Sequence, residues 1–526
     1  MQGGYTNPNR KKLAGDLLDD ADSREQVSLE DALQLLAKLG KTGTLVSDGR
    51  KSCAKRPMWN CLLHTSMGVF LIEICDTSHW RLDMSDEETK GDWIAQKLVH
   101  HIDKTNGMAG AAVIDQVITD SAGDCKKARR LLKEKYGGRI CVSACAAHTL
   151  DLLLEDIGKH KRFAKVIAKL RVIAKVIMNH GELRAEYKDV NGGKELNKHC
   201  ATRFCTEVYM AESAKANFEA LKKTVVSKPM DAFMKCKKKP NAKEPSYFSF
   251  TKGEGLSHHQ LGKLTKECVL CPAFWKDVDD FLAVTAEVFK ALRLTDCENP
   301  TSAEIFMRMA AMKSSLENNT FVAADGREFE LNDAEHETIL KAFESRWEML
   351  HSPIHSAAFT LNPRYTHVHS FSGDAQLEHD ELLLSWLSEA DVHLYKDQFR
   401  NFKEKTGIFA NPILWSKTAL EKDADAWWGD WGAGKKMLHD FAVRVTSQPI
   451  SIGAAERCWK AYAHIHCPKR NRLGPERAPK LVRVHYNLRL RRKRSNPEYE
   501  DVHLPAMALD PIEEAAGDLS VEDDSD

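Results

Sequence analysis

The chain has 526 residues, and its 76 Lys and Arg are matched by 76 Asp and Glu, so it carries no formal net charge. That balance excludes a uniformly basic, histone-like protein, and a hydrophobic fraction of 43% excludes a mostly disordered one. The length exceeds one ordinary domain, while 17 prolines and 29 glycines are too few for a collagen-like or linker-dominated chain.

The zero charge hides an asymmetry. From Pro497 to Asp526 there are eleven Asp and Glu and no Lys or Arg, so the rest of the chain sets 76 basic residues against 65 acidic ones. Residues 495–526 are expected to form a disordered acidic tail. The excess of basic charge in the body permits a polyanionic partner. No apolar run reaches the length of a membrane span, and no membrane partner is expected. Residues 1–12 lack the apolar core of a signal peptide, so the 14 cysteines are expected to stay reduced in an intracellular compartment.

Apolar runs with strand character come early, at residues 44–47, 58–65 and 68–74. A helical periodicity follows over 87–103, carried by Trp93, Ile94, Leu98 and Ile102. A β-branched run at 111–119 ends at Asp120, a helix is expected over 126–136, and a short strand over 139–143. This order predicts an α/β region, a mixed sheet with helices on its faces. From Ala146 the pattern changes. Leu150, Leu153, Leu154, Ile157, Phe163, Ile167, Leu170, Ile173 and Ile177 recur at helical spacing, and helical signals dominate to about Trp428. Residues 222–243, rich in lysine up to Lys239, read as a solvated loop. A C-terminal helical block runs from about 433 to 493.

Several motifs bear on chemistry. Gly429 to Lys435 has the spacing of a phosphate-binding loop, but Lys436 stands where Ser or Thr would hold magnesium and no apolar strand precedes it. A helix-entry turn is the better reading. Cys268 and Cys271 form a lone pair without the second pair that a zinc site needs. Cys141, Cys145 and His148 lack a fourth ligand, and no zinc is expected. Asp48 and Asp120 each stand where an apolar strand is expected to stop and a turn to begin. Two such carboxylates on adjacent strands repel unless a divalent cation neutralises them, the arrangement used in two-metal phosphoryl transfer. A third carboxylate is needed, and on the pattern alone turn formation by Asp is the stronger reading.

The order of segments adds to this. Leu45-Val46-Ser47-Asp48-Gly49 and Val117-Ile118-Thr119-Asp120-Ser121 are followed by Cys145-Ala146-Ala147-His148 and Ala201-Thr202-Arg203-Phe204. Later come Arg346-Trp347, His351 to His355 and Phe359 to Pro363. The C-terminal block holds Ala454-Ala455-Glu456-Arg457, Trp459, His464-Ile465-His466, Lys469 to Leu473 and Leu481 to Leu490. In this order they resemble the hAT superfamily of DNA transposases over residues 10–493. The resemblance implies an RNase H-like mixed sheet interrupted by a long all-helical insertion, with a helical C-terminal dimerisation region. Its expected divisions are a lead-in at 1–30, the first part of the catalytic domain at 31–180, the insertion at 181–430 and the returning catalytic helix with the dimerisation region at 431–494.

The resemblance also supplies the third carboxylate, Glu456. Asp48, Asp120 and Glu456 would hold two Mg²⁺ or Mn²⁺ ions and activate water or a DNA 3′-OH against a phosphodiester. His148 and Arg203 would lie near the DNA. The expected partners are DNA and a second copy of the chain, with no small-molecule substrate. Homodimer contacts are expected from Trp427, Trp428, Phe441, Trp459, Leu481, Val484 and Leu488. The basic clusters around Lys237 and Lys238, and around Arg491 and Arg492, are candidate phosphate contacts. The second also has the form of a nuclear import signal, and a nuclear location is expected.

Three features depart from the family pattern. The zinc finger that usually precedes the catalytic region has no counterpart in this sequence. Arg50 replaces the usual Trp of the first motif, and Asp124 replaces the usual Asn after the second Asp. These departures leave a second reading open, a domesticated derivative that binds DNA or protein without cleaving.

Overall fold

The computed structural model describes residues 9–52, 54–200, 203–236, 256–295, 301–368, 372–466 and 477–494. The expected acidic tail, Lys237 and Lys238, Ala201 and Thr202, and the basic run 469–473 lie outside the described residues. The chain divides into two compact units. Unit 1 holds Met1–Thr149, Arg293–Ala310 and Glu348–Asp526, and unit 2 holds Leu150–Leu292 and Ala311–Trp347.

Unit 1 is built on a five-stranded sheet. Helix α1 (Asp16–Lys38) leads into β1 (Gly43–Lys51), β2 (Pro57–Thr65) and β3 (Gly68–Asp76). Then come helix α2 (Lys90–Ala109), β4 (Ile114–Thr119), helix α3 (Gly123–Tyr136) and β5 (Cys141–Ala144). The strand order is β3-β2-β1-β4-β5, antiparallel from β1 to β3 and parallel from β1 through β4 to β5. This is the mixed α/β sheet that the run of strands and helices predicts.

Alternation along the central strands explains the layering. Leu45 and Val117 face one side and pack with Leu33, Leu36, Trp93 and Leu98 of α1 and α2. Val46 and Ile118 face the other and pack with Ala455, Cys458, Trp459 and Tyr462. Both faces are covered, so all six residues of β4 are buried.

One boundary differs from expectation. The first strand does not stop at Asp48; it continues through Gly49 to Lys51, which pairs with Pro57. The reversal lies beyond it, where Lys55 takes φ +60°. What ends near Asp48 is the pairing with β4, whose last rung is Ser47 opposite Thr119. Asp48 is thus a residue of a continuing hairpin rather than a turn former.

The long apolar stripe after Ala146 is also two elements. Helix α4 (Ala146–Lys159) and helix α5 (Lys161–Asn179) are separated by His160, whose ψ of 136° is extended. In unit 2, Gly158 lies under the Phe204 ring, and a Cβ there would stand 2.0 Å from Phe204 Cζ. The Asp151 carboxylate accepts from the N–H groups of Phe204 (3.0 Å) and Cys205 (2.7 Å), satisfying the start of the helix Cys205–Ala216. The unit continues through helix α6 (His258–Leu270), helix α7 (Pro272–Thr295) as far as Leu292 and helix α8 (Asp333–Leu350) as far as Trp347. It is not wholly helical: Phe321–Val322 and Glu328–Phe329 form a two-stranded hairpin.

The expected insertion at 181–430 is therefore divided. Helices after Leu350 belong with the sheet of unit 1. Trp386, at the end of helix α9 (Ser372–Trp386), donates its indole N–H to Arg139 O at 3.1 Å. Arg444, on helix α10 (Lys436–Thr446), forms a two-pronged ion pair with the buried Asp115 of β4 and lies 4.0 Å above the Trp386 ring. Of the glycine-rich stretch, Gly429 to Trp431 end the helix Ala424–Trp431, and Gly432 to Lys435 connect it to α10. That matches the helix-entry reading.

The chain closes with helix α11 (Gly453–Ile465) and helix α12 (Arg477–Arg494). Helix α12 lies along β3 and α1. Asn487 Oδ1 accepts from Leu71 N at 3.0 Å, and Arg483 pairs with Asp22 at 2.7 Å while donating to Ile72 O at 2.9 Å. Lys480 pairs with Asp19 at 2.5 Å, and Arg491 with Glu25. Among the described residues no helix is long and apolar enough to cross a membrane.

Asp115 also accepts from Thr42 Oγ1, so its loss would strand a cation and a hydroxyl in a buried place. Asp115→Ala is expected to lower the unfolding free energy by about 3 kcal/mol, read from the urea midpoint of the full chain.

Candidate active site

The expected carboxylates come from three distant parts of the sequence and meet at one end of the unit 1 sheet. Asp48 stands on β1 just past the last rung with β4. Asp120 follows β4 directly. Glu456 lies in the first turn of α11. The backbone ties these pieces together. Cys145 N donates to Thr119 O (2.8 Å), Ala146 N to Ile450 O (2.9 Å) and Ile452 N to Cys145 Sγ (3.4 Å). The turn before α11 is thereby fixed to the start of α4.

His148, in the first turn of α4, stands between two of the carboxylates. Its Nε2 is 3.7 Å from Asp120 Oδ1, and its Nδ1 is 3.3 Å from Glu456 Oε1, close but without hydrogen-bond alignment. The histidine and both carboxylates remain partly open to solvent, with side chains 38%, 26% and 23% exposed. Hydrogen bonding to the Cys145 side chain and the charge interaction with it, with smaller contributions from Asp120 and Glu456, outweigh burial and hold the imidazole protonated up to about pH 10.

Asp48 also holds its proton to a higher pH than usual. Burial first, then the neighbouring charge of Asp120 and to a smaller degree Glu456, lift its carboxyl from 3.8 to about 6; His148 and the Gly49 N–H pull the other way. Trp459 donates its indole N–H to Asp48 Oδ2 at 2.9 Å, and Asp48 Oδ1 accepts from Gly49 N at 2.8 Å. Asn60, fully buried opposite Asp48 on β2, accepts from Asp48 N at 3.1 Å and donates to Ala455 O at 3.0 Å. One amide thus joins the first strand to the helix of the third carboxylate. On the other side, the buried Arg129 donates to Thr119 Oγ1 (2.8 Å) and Asp120 O (2.5 Å), and Ser121 N donates to Asp120 Oδ1 (2.5 Å).

Asn60, Arg129 and the Trp459 indole were not assigned to the site from the sequence. Each left a trace. Asn60 interrupts an apolar strand. Trp459 follows Glu456 by three residues and so shares its helix face. Arg129 sits on the apolar side of its helix.

Donor chemistry fits a hard divalent cation: three carboxylates, one of which resists ionising because it is buried and the others are close. As the side chains stand, no group of three or more His, Cys, Asp or Glu among the described residues draws together closely enough to hold a metal ion. The Arg50 and Asp124 side chains are both exposed, Asp124 in the first turn of α3, where an acid suits the helix dipole.

The remaining expected site residues fall elsewhere. Arg203 is exposed in unit 2. Arg491 is engaged with Glu25, and Arg492 is exposed. Trp427 and Trp428 are fully buried, donating to Leu414 O (2.9 Å) and Leu361 O (2.8 Å) among Phe402 and Phe409. Phe441 and Trp459 are buried too. These four aromatics are core of unit 1, which corrects their reading as contacts with a second copy: their apolar surface is already spent within the chain. Leu481 and Val484 are half-buried, and Leu488 is 38% exposed.

Both pKa values are raised, so both groups make stability fall as pH rises, in successive windows. Folded Asp48 keeps its proton to about pH 6, whereas the unfolded chain releases it near 3.8. Folding therefore takes up a proton in that window, and stability falls as pH rises through it, by at most about 3 kcal/mol. His148 contributes stability that is complete below about pH 6.5 and is lost as pH rises towards about 10. Asp48→Asn is expected to flatten urea-denaturation stability between about pH 4 and 6, and His148→Gln to flatten it on the alkaline side.

Residues 8–173 match a family model described as a domain of unknown function (DUF659). That family is found in hAT-type transposase-like proteins, and the match spans less than half of this chain. No curated protein matches the sequence. Over the sheet and the helices α1 to α4, the chain is similar to that family.

Proposed function

We propose that this chain is a hAT-like transposase core, or a protein derived from one, that acts on DNA phosphodiesters. The observation that carries the reading is the meeting of Asp48, Asp120 and Glu456 around His148 at one sheet end. The family match over residues 8–173 supports it, as does a strand order suited to an RNase H-like domain.

Asp48, Asp120 and Glu456 would hold two Mg²⁺ or Mn²⁺ ions, which when bound supply charge for activating a nucleophile and stabilising a leaving oxygen. Trp459 fixes the direction of the Asp48 carboxyl, and Asn60 holds that strand against the start of α11. Arg129 fixes the backbone that carries Asp120. His148 carries a proton at neutral pH and offers an N–H to a phosphate oxygen. Arg203, Arg492, Lys237 and Lys238 remain candidate DNA contacts, and the end of α12 a nuclear address. Dimerisation through α12 would rest on Leu488, with Leu481 and Val484 beside it.

A second reading, a non-cleaving DNA- or protein-binding scaffold, is favoured by two observations. The Asp48 carboxyl is occupied by Trp459, and the acids do not close into a three-ligand group.

With Mg²⁺ or Mn²⁺, the wild type is expected to nick a labelled DNA duplex. Asp120→Asn and Glu456→Gln are expected to lower the rate at least about 100-fold while leaving the fold intact. DNA binding by a folded wild type without any nicking would sink the catalytic reading in favour of the scaffold.

A further inference from the structure

Unit 2 carries a strongly one-signed surface that the carboxylate site does not use. Helix α5 has six Lys and Arg in 19 residues and no Asp or Glu. Lys161, Lys165 and Lys169 follow one another at four-residue steps, so they share one face and span roughly 12 Å. Lys161 and Lys165 are exposed, and Lys169 is half-buried with its Nζ 5.7 Å from the Phe274 ring centroid. Among the described residues, none of the three lies within ion-pairing distance of a carboxylate.

Beside them runs a groove of about 460 Å³, lined also by His160, Arg162, Asp277 and Glu335. Its acids do not balance the lysines. Arg162 faces both, at 2.9 Å from Asp277 and 3.9 Å from Glu335, and also pairs with Asp280, which Arg327 approaches from the other side. The start of α5 adds to the field. No acid occupies its first turn, and His160 makes no side-chain cap. Like charges at four-residue spacing are unfavourable in the free protein, and a polyanion removes that repulsion.

We propose that the Lys161, Lys165 and Lys169 face of α5 binds the phosphate backbone of double-stranded DNA, without reading sequence. A single phosphate cannot engage three cations spread over roughly 12 Å, whereas a duplex presents a charge on each strand about every 3.4 Å of its axis. This binding does not depend on the carboxylate site or on metal.

The test uses the full chain in EDTA with a fluorescent random-sequence duplex. Its affinity is measured by anisotropy from about 50 to 300 mM salt. Lys161→Gln, Lys165→Gln and Lys169→Gln together are expected to weaken binding at least about tenfold at low salt. They should also reduce the slope of log affinity against log salt by about 3, close to one for each phosphate no longer neutralised. A control removes three exposed, paired lysines of the same unit, Lys263→Gln, Lys313→Gln and Lys341→Gln, and is expected to keep the wild-type slope. Equal melting temperatures for the two variants establish that both are folded. An unchanged slope in the α5 variant, an equal loss in the control, or no duplex binding by the wild type overturns the proposal. Binding is read in EDTA, where metal-dependent cleavage does not occur, so failure of cleavage and failure of this surface are read separately.

Discussion

The parallel pairing of β1 with β4 stops at Ser47 opposite Thr119, and the site depends on that register. It leaves Asp48 and Asp120 at the same sheet end, close enough that the charge of Asp120 helps keep a proton on Asp48. A shift of one residue on either strand would turn a carboxylate into the apolar layer. The register is protected because Leu45 and Val117 are committed to one core, and Val46 and Ile118 to the other.

The third carboxylate reaches this place by packing rather than by pairing. Helix α11 lays Ala455, Cys458, Trp459 and Tyr462 on the sheet, which leaves Glu456 at the rim. Fixed polar contacts then set its position along the sheet: Asn60 to Ala455 O, Trp459 to Asp48, and Cys145 to the turn before the helix. Tyr486 of α12 adds a hydroxyl donation to Ala454 O. The C-terminal helices thus complete the sheet's core and the site together. For that reason the buried aromatics of this block are not available to a second copy.

Within the cluster, a histidine cation stands among three acids. The arrangement lowers the electrostatic cost of bringing carboxylates together, and it leaves two of them partly open to solvent. Burial of Asp48 and the Cys145 side chain beside His148 lead the two upward shifts, and the charges of Asp120 and Glu456 add to both. Unit 2 solves a different problem. Its α5 face gathers positive charge while Arg162 answers the nearby acids, so the field of the lysines is not cancelled locally.

The sequence by itself determined the mixed sheet and its five strands, because period-two and period-3.6 hydrophobic patterns are local and survive without tertiary information. Its pattern placed Asp48 and Asp120 at strand ends, and its resemblance to hAT transposases implied Glu456 and His148 beside them. It misplaced the end of β1, since Asp48-Gly49 has turn composition, yet β2 continues to pair with it as far as Lys51. It assigned Trp427, Trp428, Phe441 and Trp459 to a partner surface, because an apolar helix face looks the same whether it covers a core or another chain. It cut the helical middle at 181 and 430, where only contacts such as Arg444 with Asp115 show that the later helices belong to the sheet unit. Tertiary structure alone decided these points, because burial and charge pairing depend on residues hundreds of positions apart.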